Sequence, residues 1–263
     1  MLYLALTFWL MIALLEAYGA FKLVEGLVRP RWINLVLLPG TVVSEMAHFL
    51  AALLTGAAVR DAKLVSDESI GESPAPSASG IPVLSPLLLA LLPILSALVI
   101  LFVLFKHFDA TIVQNFALAN CGTDLDLKQL AQGLDWRLGS WFQAGRDLIT
   151  LVERLIGVLP FSDITHTWKS WLFIYLTACL AVRMVPLRGN LRSGMASVAL
   201  IGGLAAGLGW LLPSMADSLR TVWPLLGYTI ALLTLLLGFA LLVRGVVALA
   251  FVLADKPQPK RPG

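Results

Sequence analysis

Long apolar runs separated by short polar stretches dominate the pattern along this chain. Ile81–Phe105, Ser193–Ala216 and Thr221–Val243 contain no Asp, Glu, Lys or Arg. A helix needs about 20 residues to cross a hydrocarbon core, so each run is long enough. The pattern predicts six spans, at about 2–28, 33–56, 81–105, 168–186, 194–212 and 221–243 or beyond. The expected fold is an all-α integral membrane protein, with residues 1–254 forming one polytopic domain. The last run stays apolar to Ala254 with Arg244 inside it. At this length it would reach roughly 50 Å, so it must tilt, break or end near Arg244, which reads as marking a helix end. The segment 255–263, DKPQPKRPG, is expected to be a disordered tail.

Two connections are long. Residues 57–80 include SDESIGESPAPSASG, which has no helical period and reads as a solvated loop. Residues 106–167 differ. Thr123 followed by Asp126 suggests a capping box. Trp136, Trp141, Phe142, Leu148, Val152, Leu155 and Leu159 then fall roughly on one helical face. With Arg137, Arg146, Asp147, Glu153 and Arg154 among them, this connection predicts an amphipathic interfacial helix, along the bilayer surface or against the bundle. The fifth span carries Gly203-xxx-Gly207, a packing face for a helix of this chain or of a partner. Trp9, Trp32, Trp168, Trp171, Trp210 and Trp223 lie near predicted span ends, where interfacial anchors belong.

Composition strengthens the membrane assignment. Apolar residues make up 59% of the chain and charged ones 13%, against about 45–50% and about 25% in soluble domains. The net charge of +3 is of the size that short membrane loops supply and does not point to nucleic acid. Lys and Arg are nearly balanced between the two sides. Arg29-Pro30-Arg31 favours a cytosolic first loop without fixing the orientation, and the expected location is a prokaryotic cytoplasmic (inner) membrane. The N-terminus lacks a basic lead and a small-residue cleavage site, so it is read as a retained first helix. Cys121 and Cys179 form no CxxC or His/Cys cluster, which argues against a disulfide framework or a thiolate zinc site. No internal repeat of the transporter kind is present.

Chemistry concentrates in the second span, INLVLLPGTVVSEMAHFLAALLTG. Glu45 and His48 are its ionisable groups. Ser44 lies about 18 Å along the helix from Trp32, near mid-depth, where an ionisable neighbour is expensive and marks a site by default. Ser44 and His48 are i and i+4 on one face, with Glu45 beside them. Glu16 in the first span could neutralise a cation, pair with an arginine, or snorkel to one bilayer face. His107 and His166 flank the long third connection.

PGTVVSEMAHFLAALLTGA resembles the metal-binding helix of the site-2-protease-like intramembrane metalloproteases. That family carries H-E-x-x-H, in which two His hold zinc and the Glu is the general base. The resemblance puts Ser44 at the first His, Glu45 at the base and His48 at the second His. It puts Asn190, four residues after Pro186, at the family's Asp ligand. It covers residues 33–60 well and 168–194 moderately. A serine hydroxyl and an amide carbonyl are poor zinc ligands, so His48 is the one strong ligand retained and Glu45 is vestigial. A catalytic zinc needs about three protein ligands. The resemblance therefore implies a degenerate, non-catalytic member with no cofactor. Its partners would be the lipid bilayer and other transmembrane proteins, and its role that of a binding or scaffold subunit. The alternative is a zinc-dependent protease with non-standard ligands, which would need His107 or His166 to supply a missing one. A third reading is a transporter or channel component using Glu45 and His48 as a proton relay.

Overall fold

The computed structural model of the chain describes residues 2–55, 84–108, 113, 146, 148–157, 168–184, 191–211 and 214–253. Among these the protein is entirely helical. The elements are α1 (Leu2–Glu25), α2 (Pro30–Val36), α3 (Leu38–Thr55), α4 (Leu84–His107), α5 (Trp168–Val182), α6 (Leu191–Leu211) and α7 (Ser214–Leu253). Four helical stretches are long and apolar enough to cross a membrane: Leu6–Glu25, Leu38–Thr55, Gly194–Leu211 and Trp223–Ala250. Leu91–His107 and Trp168–Val182 are shorter apolar helices. The loop at 57–80, the tail at 255–263, Cys121, Thr123, Trp136, Trp141, Phe142, Leu159, His166, Pro186 and Asn190 lie outside the described residues.

Neighbouring helices close a ring in the order α3, α4, α6, α1, α7 and α5, with α5 returning to α3. α5 also reaches α1 and α4, so the shortest of the apolar helices still touches four others. Its inward stripe, Phe173, Thr177, Leu180 and Ala181, is buried among Leu10, Leu14, Ile94, Leu101, Tyr228 and Leu233. The outward residues are large and apolar, among them Leu53, Leu54, Trp210, Phe239 and Val252. That inversion suits a lipid environment, where exposed hydrocarbon carries no penalty and helices associate by close packing.

Close packing is visible where α1 crosses α6. A methyl group on Gly202 would collide with Thr7, and one on Gly209 with Tyr3. Gly203 and Gly207 instead face open space, so the contact within the chain uses the glycines beside the expected pair.

Three expectations are corrected. The second span is not one helix: it breaks at Leu37 (φ −92°, ψ 21°) between α2 and α3. Pro39 explains the break. It has no N–H to give to Leu35, and it disfavours helical geometry at Leu38, but it is tolerated in the first turn of a new helix. Arg244 does not mark a helix end, because α7 continues unbroken to Leu253. Its 40 residues extend about 60 Å, well past the thickness of one hydrocarbon core. The Arg244 guanidinium rests by Gly26, just beyond α1, with Nη1 3.4 Å from where a Cβ would stand. Trp9 is not an interfacial anchor but a core residue, 2% exposed. Trp32, Trp168, Trp171 and Trp210 are exposed, as anchors should be.

The amphipathic connection is described only in part. Residues 148–157 are helical. Leu151 and Leu155 join the bundle core, while Ile149 and Ile156 are exposed. This piece therefore packs against the bundle.

Candidate functional site

The buried face of α3 consists of Gly40, Thr41, Ser44, Ala47, His48, Ala51 and Ala52. Every residue on it except His48 is small, which lets α3 lie close to its neighbours. Met46, Phe49, Leu50, Leu53 and Leu54 form the opposite, exposed face. Ser44 and His48 are 2% and 5% exposed, so the i, i+4 pair read from the sequence does turn inward. Ser44 Oγ has no hydrogen-bond partner among the described residues. Glu45 is half-buried on the flank of this stripe and interacts electrostatically with Arg183.

Arg183 was not singled out in the sequence, where it reads as a loop charge at the end of the fourth span. The structure buries it to 2% exposure. Its Nη2 donates to Asn34 Oδ1 in a short hydrogen bond, and its guanidinium carbon stands 5.1 Å from the centre of the Phe21 ring. One cation thus touches Phe21 of α1 and Asn34 of α2, and acts electrostatically on Glu45 of α3. Buried arginine is acceptable on these terms, with a charge partner, a hydrogen-bond acceptor and an aromatic face.

Arg183 belongs to a stripe. Tyr175, Cys179 and Arg183 follow one another at i, i+4 and i+8, on one helical face. The Tyr175 hydroxyl donates to the Val36 carbonyl at 2.6 Å, and the Cys179 thiol approaches the same oxygen at 3.7 Å. Val36 ends α2, so its carbonyl is one of those that the break leaves without a helical partner. The Leu37 carbonyl keeps its helical bond from the Thr41 N–H at 2.9 Å and also accepts from the Thr41 hydroxyl at 3.0 Å. Irregular backbone at membrane depth is tolerated where protein groups take over its hydrogen bonds. Here α5 supplies them.

Gly40 completes the junction. A Cβ there would run into the Cys179 carbonyl, 2.7 Å from its carbon and 2.9 Å from Arg183 Cγ. The Pro39-Gly40 pair therefore has two jobs. Proline starts α3 afresh, and glycine lets its first turn touch the α5 backbone.

The ligand constellation is not assembled among the described residues. No three His, Cys, Asp or Glu side chains converge there. His107 is exposed at the end of α4, edge-on to Phe108 with ring centres 5.6 Å apart. His166 and Asn190 lie outside the described residues. Glu16, whose reading was open, is buried between α1 and α7 at 7% exposure, with Thr234 Oγ1 2.7 Å from its Oε1.

Taken together, these features define an all-helical membrane protein whose second span is a broken helix stitched to a later, arginine-bearing one. No family model, curated protein or solved structure matches this chain.

Proposed function

We propose that this protein is a non-catalytic relative of the site-2-protease-like intramembrane metalloproteases. In this reading it acts as a scaffold subunit that holds a transmembrane segment of another protein. It sits in a prokaryotic cytoplasmic membrane, with α1, α2–α3, α4, α5, α6 and α7 as six spans. The observation that carries the reading is the pairing of Ser44 with His48 on the buried face of α3. The site keeps the geometry of a two-histidine zinc helix and lacks the first imidazole.

Electrostatics support the same reading. A permanent cation, Arg183, acts on Glu45. That guanidinium opposes the binding of a dication nearby. The polar groups of this region fit a structural task better, fixing the α2–α3 break against α5. The exposed α3 face of Met46, Phe49, Leu50, Leu53 and Leu54 gives a transmembrane helix of a partner a broad apolar surface.

The deciding experiment measures zinc in protein extracted from membranes in mild detergent. The expected result is zinc far below one per chain and no cleavage of transmembrane substrates. One zinc per chain, lost together with cleavage in His48→Ala, would establish the zinc protease instead. A photocrosslinking residue at Met46 or Leu50 tests the scaffold role, with a discrete adduct to another membrane protein expected.

A further inference from the structure

A second ionisable group lies deep in the bundle, away from the α3 site and independent of the reading above. Glu16 is about 15 Å along α1 from Leu6, the start of that span, and therefore near mid-depth. It faces α7 and is 7% exposed. Its Oε2 has no hydrogen-bond partner among the described residues, and its Oε1 meets one group, Thr234 Oγ1 at 2.7 Å. The nearest charges along α1, Lys22 and Glu25, are paired to each other at 2.7 Å, more than a helical turn away. Arg183, on α5, is engaged with Asn34 and the Phe21 ring. Arg244, on α7, rests by Gly26 beyond the end of α1.

Proton counting at Thr234 bears on how the pair can be satisfied. Its Oγ1 is 2.7 Å from Glu16 Oε1 and 2.9 Å from the Ile230 carbonyl oxygen. A hydroxyl has one proton to donate, and a carbonyl oxygen has none. Threonines on these helices give that proton back to the carbonyl four residues earlier. Thr7 does so to Tyr3, Thr55 to Ala51 and Thr229 to Leu225, each at 2.8 Å. If Thr234 does the same toward Ile230, the proton in the short contact with Glu16 must come from the carboxyl.

The alternative is an ionised carboxylate at mid-depth with one bare oxygen and a single neutral donor. Burying such a charge without a partner is strongly unfavourable. A neutral acid leaves only a carbonyl oxygen unpaired, and every proton has an acceptor.

We propose that the α1–α7 interface is an intramembrane proton-binding site, in which Glu16 is held as the neutral acid and donates to Thr234. Removal of the proton leaves a bare charge between two packed helices. Proton release is therefore linked to entry of water at the α1–α7 seam. Protonation favours the closed seam, and high pH favours the open one.

Infrared difference spectroscopy of the full chain in lipid vesicles, wild type against Glu16→Gln, reads this directly. The expected result at neutral pH is a protonated-carboxyl carbonyl band in wild type, lost entirely in the variant. Carboxylate bands in its place would overturn the proposal. Thr234→Val should shift the acid band without removing it, which keeps the test open if Glu16→Gln fails to fold. An unshifted band would show that Thr234 is not the acceptor. Loss of the acid band on adding sodium or potassium at constant pH would mark a metal-cation site, and likewise overturn the proposal.

Discussion

Arg183, one residue beyond α5, donates to the side-chain oxygen of Asn34 in α2 and so ties α5 to the first half of a broken span. The same guanidinium covers Phe21 of α1 and acts on Glu45 of α3. Removing it strands several groups at once. Arg183→Ala is expected to destabilise the protein by about 3–5 kcal/mol, the range for breaking a buried charged interaction. Asn34→Ala should lose about 1.5–3 kcal/mol, a hydrogen bond to a charged group. A double-mutant cycle on thermal unfolding in detergent checks the link. Strictly additive losses would mean that the two side chains do not interact.

Gly40 makes a sharper packing prediction, because the atoms a methyl group would meet are mainly backbone. No rotamer change clears the Cys179 carbonyl, so Gly40→Ala must push α3 and α5 apart. A loss of about 1–3 kcal/mol or more is expected. Gly203→Ala is the control. It has nothing within 4 Å to collide with, and it should be neutral or slightly stabilising through helix propensity of up to about 1 kcal/mol. Unfolding midpoints of the two variants should move in different directions, or by clearly different amounts.

Tyr175→Phe tests whether α5 supports the break itself. The change deletes the 2.6 Å bond to Val36 O and leaves the ring in place. Global stability should fall by about 1 kcal/mol. The larger effect is local: amide exchange at residues 33–41 should accelerate while that of α1 and α7 stays unchanged. Uniform acceleration across the bundle would show that the bond has no special role at the junction.

The comparison of pattern with structure follows from what each signal measures. Hydropathy reports burial in lipid or protein alike, so it located the apolar helices but could not say that Trp9 belongs to the core. It also averaged over the α2–α3 break. Pro39 was visible, yet a proline can start a helix as well as end one, and the carbonyls it frees are repaired by Tyr175 and Cys179 more than a hundred residues away. Periodicity served better at the site. The i, i+4 spacing of Ser44 and His48 put both on one face, and that face is the buried one. Arg183 reads as exposed in the sequence, because charge near a span end ordinarily means exposure. Its burial depends on Asn34, Phe21 and Glu45 arriving from three other helices. The Tyr175-xxx-Cys179-xxx-Arg183 spacing was the one available clue.

The same geometry makes the family resemblance testable by reconstruction. Ser44 already occupies a buried position one turn before His48, and two histidines at that spacing can share a zinc ion. Ser44→His alone supplies two ligands and should bind zinc weakly. Adding Asn190→Asp should supply the third and bring zinc to about one per chain, in line with the roughly three protein ligands of catalytic sites. Arg183 then becomes a liability, because its charge repels the metal. Replacing it with Gln in the double variant should raise zinc affinity by about tenfold, equivalent to about 1.4 kcal/mol of relieved repulsion. Titration with zinc against a competing chelator measures all three. If the double variant binds no more zinc than the parent, Asn190 does not stand opposite the α3 pair and the proposed kinship fails. If zinc binds but Arg183→Gln leaves the affinity unchanged, the guanidinium is too far from the ligand face to oppose a metal there.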